Sequence, residues 1–342
     1  MLELREVFEM ATREVEPDVD MRREQEKRHR RSARNRKVGA FVIAAAIGLA
    51  LVVFVATDRT RPDPDRAATV PSASPATEMP QPFTGRTMLL PESLEGGTFY
   101  FVSPDRTQIV MNTCCGTPNP VSVADIDGTD VRQVTRDGVD AFAARWSPDG
   151  SSLVYQGRDG LTNEIGNIYI LDIATGKTRR ITDLEPASYG GWSMHPSFSA
   201  DGETVIFHMP RGPDTVEQAH DLWAVPSAGG KPALLVPNAT GGAYSPDGGT
   251  LAYVTSVAEP SGAASLMLAN VDGSDPRVLV DGARIESPRW SPDGTRIAYS
   301  AHSEGDRDYV IDVATGETWL VTGGAGVLDW FDNDTLLVAP RR

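Results

Sequence analysis

The chain has 342 residues, 40% of them hydrophobic, and a formal net charge of −15. That length is enough for one large buried core beside flanking segments, and an acidic balance disfavours nucleic acid or anionic polymers as ligands. The charge is uneven: residues 1–37 carry eleven basic and nine acidic residues, a net of +2, which leaves −17 on the rest.

In residues 1–20 seven carboxylates meet two arginines. Leu4, Val7, Phe8, Ala11 and Val15 fall on one face of a helix. Pro17 limits its length, and so short an amphipathic helix is marginal alone in water. Docking on a cytoplasmic protein such as a sigma factor or kinase is one reading, and a partly disordered tail is the other. Nine Lys and Arg residues then crowd between Met21 and Lys37, with no aromatic residue among them. That run suits anionic lipid headgroups better than nucleic acid.

Val38 to Ala56 is a run of 19 residues without a charge. As a helix it spans about 28 Å, close to the hydrocarbon thickness of a bilayer. It is longer than a signal-peptide core, and it ends Phe54-Val55-Ala56, with bulky Phe where a cleavage site wants a small residue. The expectation is an uncleaved transmembrane anchor. The excess of Lys and Arg before it places the N-terminus in the cytoplasm and the remainder outside. Residues 57–84 hold six prolines among Ser, Thr and Ala and read as a semi-extended spacer.

From residue 85 to 342 a repeat governs the sequence. Its marker is Ser-Pro-Asp-Gly at 147–150, 245–248 and 291–294, with Ser-Ala-Asp-Gly at 199–202 and a weaker Ser-Pro-Asp-Arg at 103–106. The spacings are 44, 52, 46 and 46 residues, the period of a propeller blade. Before each tetrad stands Val102, Trp146, Phe198, Tyr244 or Trp290. Six and eight residues after each serine come pairs such as Leu153 and Tyr155, or Ile297 and Tyr299, which share one strand face. Pro presets φ, Asp bonds its own backbone and Gly accepts positive φ, so the tetrad is a tight turn between two strands. The third strands are 168–171, 222–225, 266–269 and 309–311. Hairpin turns such as Asp272-Gly273 lead to fourth strands at 180–182, 233–235, 278–280 and 319–321. Four antiparallel strands per repeat make a blade. A sixth copy begins at Leu328-Asp329-Trp330, and the sequence supplies only two strands for it. An open ring leaves sheet edges unpaired, so Thr87–Leu90 is expected to complete the last blade. The fold class is all-β, a six-bladed β-propeller, with five or seven blades as the alternatives.

The order aromatic-Ser-Pro-Asp-Gly, aliphatic-x-aromatic strand and Asp-Gly or Thr-Gly hairpin resembles the WD-like repeats of the TolB family over about residues 97–339. The resemblance implies the propeller. Its functional implication is broad, because the same repeat serves periplasmic TolB, peptidase-fused propellers and some oligogalacturonate lyases. The lyases' histidine-rich metal site has no residue-by-residue match here. No Gly-x-Ser-x-Gly elbow is present, which argues against a fused hydrolase.

The turn aspartates read as structural. Binding residues are expected on the variable loops of the opposite face. The candidates there are Arg158, Asp159, Glu164, His195, His208, His220, His302 and Glu304. Adjacent Cys114 and Cys115 could form a strained vicinal disulfide in an oxidising compartment or remain free thiols. Two cysteines are too few for a structural zinc site. No catalytic set, metal or cofactor is expected. Four lysines against 28 arginines is the bias of a high-GC bacterial genome. The leading expectation is a non-enzymatic, membrane-anchored extracytoplasmic propeller that binds a protein, peptide or envelope ligand. The alternatives are a transmembrane signalling protein and a metal-dependent carbohydrate lyase.

Overall fold

A computed structural model describes residues 80–113, 119–136, 138–159, 166–184, 195–210, 219–255, 264–301, 307–322 and 326–339. The segment expected to form an N-terminal helix, the apolar run 38–56, the expected spacer before residue 80 and both cysteines lie outside the described residues.

The described residues form six sheets; five are four-stranded antiparallel meanders in chain order from an inner to an outer strand, and the sixth is a three-stranded mixed sheet. Blade 1 is Gly97–Val102, Gln108–Thr113, Val121–Asp125 and Arg132–Gln133; blade 2 is Val139–Trp146, Ser152–Asp159, Asn167–Asp172 and Thr178–Arg180. Blade 3 is Ser197–Phe198, Thr204–Pro210, His220–Pro226 and Ala233–Val236; blade 4 is Ala239–Tyr244, Thr250–Thr255, Ala264–Asn270 and Arg277–Ala283. Blade 5 is Ile285–Trp290, Arg296–Ala301, Arg307–Asp312 and Thr318–Leu320. Blade 6 pairs Gly326–Trp330 with Thr335–Ala339 and takes Arg86–Leu89 as its third strand.

The expected closure is therefore present, with two differences. The N-terminal segment adds one strand rather than two, and it runs parallel to its neighbour, Arg86 opposite Thr335 through Leu89 opposite Val338. Just before it, the chain also crosses the outer edge of blade 5. There the Phe83 N–H donates to the Leu320 carbonyl at 2.8 Å, and the Leu320 N–H donates to the Gln81 carbonyl at 2.9 Å. One short segment thus covers two sheet edges that would otherwise present unpaired backbone groups.

Why these strands stack as blades follows from their alternation. Both faces of each second strand are apolar, so each must be covered. In blade 2, Leu153 and Tyr155 face blade 1 in a cluster with Val110, Val121 and Val123. The intervening Val154 faces blade 3 and packs with Val205, Phe207 and Val225. Equivalent clusters join blades 3 and 4, 4 and 5, 5 and 6, and 6 and 1. The core is thus six interblade layers rather than one centre.

The tetrad turns form as their residue types dictate. Ser147 Oγ donates to Asp149 Oδ1 at 2.6 Å and accepts from the Ser152 N–H at 2.9 Å. The same pair of bonds recurs at Ser103, Ser199, Ser245 and Ser291. The fourth residue needs positive φ: Gly150, Gly202, Gly248 and Gly294 lie at 71–74°. Arg106 holds the same conformation at 64° without being glycine.

Candidate functional site: the central channel

In blades 2, 5 and 6 the tryptophan that ends the inner strand ties its blade to the previous one. Trp146 Nε1 donates to the Phe101 carbonyl at 3.1 Å, Trp290 Nε1 to the Ala243 carbonyl at 3.1 Å, and Trp330 Nε1 to the Arg289 carbonyl at 3.0 Å. Alternation along the strand then sends the preceding side chain the other way, toward the propeller axis. That position is Phe101, Arg145, Ser197, Ala243, Arg289 and Asp329 in blades 1 to 6, and all six line one cavity of about 440 Å³. Its mouth is framed by tetrad residues, including Ser103, Pro148, Pro246 and Pro292.

The inner strands carry an irregularity just below this ring. In blades 1, 2, 4, 5 and 6 the pairing register shifts two to five residues before the tetrad position. Four residues before the tetrad serine, Phe99, Ala143, His195, Gly241 and Ser287 all have positive φ, from 41° to 62°. Such a bulge bends the strand and re-aims side chains.

Charge is concentrated in the ring. The Arg145 and Arg289 guanidinium carbons each lie 4.4 Å from the Phe101 ring centroid, within cation–π range. Burial lowers the pKa of both, and Arg289 lowers that of Arg145 further. Arginine stays protonated even so, which means that the cost is borne by the fold. Asp329 is pushed upward by burial and drawn back by Arg289, and its Oδ2 accepts the Val102 N–H at 2.9 Å. Arg145 Nε and Arg289 Nη1 are buried without hydrogen-bond partners among the described residues.

Three of the expected histidines come together in blade 3. Phe99 meets His195 edge-on at 5.0 Å between ring centroids, His195 stacks on His208 at 5.3 Å, and His208 meets His220 edge-on at 5.2 Å. They belong to adjoining segments of blade 3, which is why His208 can meet both His195 and His220. Burial, then the charges of Arg145, Arg289 and His220, hold the His195 pKa down at about 3. Its imidazole is neutral at any ordinary pH.

Of the other loop candidates, Arg158 and Asp159 end the second strand of blade 2, and their side chains lie outside the described set. Glu164, His302 and Glu304 lie outside the described residues altogether. Among the described residues no group of three or more His, Cys, Asp or Glu is placed to hold a metal ion. The tetrad-end cavity, by contrast, escaped the sequence reading. The signal was present: alternation places the residue two before each tetrad serine on the axis, and two of those six are arginine.

No family model matches the chain. An uncharacterized protein of Agrobacterium fabrum is 29% identical over 166 residues, 45% of this chain and 52% of that protein. The Tol-Pal system protein TolB of Francisella tularensis subsp. mediasiatica is 26% identical over 209 residues, 59% of this chain and 45% of that one. The chain thus spans about half the length of these relatives. Among solved structures, TolB from Acinetobacter baumannii superposes with a TM-score of 0.55 at 18% identity, covering 71% of this chain and 57% of that one. An oligogalacturonate lyase in complex with manganese gives 0.53 at 19%, covering 69% of each chain. These likenesses agree on the architecture: the chain is a six-bladed β-propeller of TolB-like repeats.

Proposed function

We propose that this propeller of TolB-like repeats is a non-enzymatic binding domain of the bacterial cell envelope. It is anchored in the cytoplasmic membrane through residues 38–56 and captures a protein or peptide ligand at the mouth of its channel. The observation that carries the reading is the channel ring, in which side chains from six separate blades converge on one cavity. Concave sites with an apolar frame and a few convergent polar groups are where ligands bind. The likeness to TolB proteins in sequence supports an envelope role. The likeness to a lyase rests on fold alone, and the described histidines do not form a metal-holding group. The loop-face candidates would then add a second contact surface, with His195 joined to the inner strand of blade 1 through Phe99.

Photo-crosslinking in living cells tests this. A photoreactive residue replacing Phe198 or Tyr244 at the mouth is expected to trap a discrete protein or peptide adduct. One replacing Leu234, exposed on an outer strand of blade 3, is expected to trap none. Equal labelling at all three positions contradicts the proposal.

A further inference from the structure

We propose that the channel cavity is an anion site, built to seat one carboxylate carried on an apolar body. This rests on the binding reading above and specifies its chemistry. Three observations carry it.

The first is the charge inventory. Arg145 and Arg289 face the cavity with a single carboxylate, Asp329, among them, and one oxygen of that carboxylate already accepts a backbone N–H. His195 is neutral; Arg145, Arg289 and Arg106 in the lining carry three positive charges against Asp329 and the neighbouring Asp308, which acts on Arg289, so the set has a net charge of +1. A singly charged anion balances it.

The second is the open valence of the two guanidiniums. Arg145 Nε and Arg289 Nη1 are buried without partners among the described residues. Buried donors left unmade are costly, and a guanidinium edge matches a carboxylate in geometry and charge.

The third is a departure from the repeat. Four tetrads end in glycine, as their positive φ requires, but the first ends in Arg106. Holding a non-glycine residue in that conformation is unfavourable. The Arg106 side chain lines the same cavity. A strained cation at the mouth, where four sister positions carry no side chain, is explained by service to an anion.

The apolar body follows from the rest of the lining. Trp146, Phe198, Tyr244, Trp290 and Phe331 surround the charged floor. A polyanion is disfavoured, because residues 38–342 carry a net charge of −17 that opposes multiply charged ligands over long range. A single carboxylate attached to apolar groups pays that repulsion once and gains the burial of its body.

Calorimetric titration of the full-length protein in detergent micelles tests the site. The probes are N-acetyl-phenylalanine, its carboxamide and inorganic phosphate. The acid is expected to bind at least about tenfold more tightly than the amide. The double substitution Arg145→Gln with Arg289→Gln removes that preference. Arg106→Gly is expected to weaken acid binding severalfold without lowering the melting temperature, which separates a binding role from a folding one. Asp329→Asn raises the net charge of the set to +2 and tightens acid binding, a gain that misfolding cannot mimic. Equal binding of acid and amide, or binding indifferent to all these substitutions, overturns the proposal. Phosphate binding more tightly than the acid overturns it as well. Two peptides identify the source of the carboxylate, one with a free C-terminus and no acidic side chain, the other amidated with one internal glutamate. Preference for either supports the site. Unchanged cross-linking of a protein by the double glutamine variant would overturn the anion site and leave the binding reading standing. Carboxylate binding with no protein trapped would do the reverse.

Discussion

The backbone N–H of Val102 donates to Asp329 Oδ2 at 2.9 Å, joining the inner strand of the first blade to that of the last. The bond spans 227 positions in sequence and places a channel charge at the seam of the ring. Asp329→Ala leaves that N–H unpaired and removes the carboxylate that faces the cavity beside Arg145 and Arg289. The expected loss of stability is about 3 kcal/mol. Asp329→Asn, which keeps an acceptor, is expected to cost less. Urea unfolding of both variants checks the difference.

The aromatic position before the tetrad supplies a second prediction. Trp290→Phe removes one indole hydrogen bond to the Ala243 carbonyl while keeping a ring. The expected cost is about 1 kcal/mol, as for one ordinary hydrogen bond. Trp146→Phe loses the equivalent bond three blades away, so the double variant should cost the sum of the two. Tyr244→Phe, at a position with no indole, should cost less than either tryptophan change.

Closure of the ring gives a third. Phe83 packs edge-on against Trp330 at 6.1 Å between centroids and sits in the layer between blades 5 and 6. Phe83→Ala should destabilise by about 3 kcal/mol. Gly85→Val should be worse tolerated, because a Cβ there would meet the Asp334 carbonyl oxygen at 2.6 Å. Both variants should speed hydrogen exchange first in 86–89, the strand they release, and in 335–339, the edge it covers. Exchange that quickens uniformly around the ring would contradict the seam.

Acid should weaken the fold in two stages. His195 is held neutral with a pKa of about 3, far below the ordinary imidazole value. Between pH 6.5 and 3 the unfolded chain binds a proton there that the folded chain does not, so stability rises with pH across that window and falls as pH drops. The contribution is at most about 1.4 kcal/mol per pH unit. His195→Asn, which tolerates the positive φ at this position, should flatten the slope. Below pH 4 a second stage begins. The hydroxyls of Ser103, Ser147, Ser199 and Ser245 hold Asp105, Asp149, Asp201 and Asp247 below the usual carboxylate range. Their contribution is full above about pH 4 and is lost as pH falls through the depressed values. Stability measured by urea from pH 7 to 3 reads both stages.

Much of this architecture was legible because its instructions are local. Ser, Pro, Asp and Gly make their turn from neighbours within five residues, so counting turns counted blades. The fourth strands were less so. The strand expected at 180–182 is formed by Thr178–Arg180, since its pairing is set by the third strand across the hairpin rather than by its own sequence. The inner-strand bulge was not legible at all. Only Gly241 among its five positive-φ residues is a glycine, so the conformation at Phe99, Ala143, His195 and Ser287 is imposed by the ring. The histidines were found as loop polars, but their contact depends on three segments of one blade lying side by side. The arginine pair was missed for the opposite reason. Treating the tetrad as a structural marker hid the fact that the residue two before it is the one the blade presents to the channel.

The central claim is that ligand enters the channel at the tetrad end. Five of the chain's six tryptophans serve as reporters. Trp146, Trp290 and Trp330 line the cavity, whereas Trp223 and Trp319 lie on outer strands. Indole N–H spectra recorded by NMR during titration with N-acetyl-phenylalanine should show saturable shifts at the three cavity tryptophans and none at the outer two. Shifts confined to Trp223 or Trp319, or none at any of the five, would contradict the account.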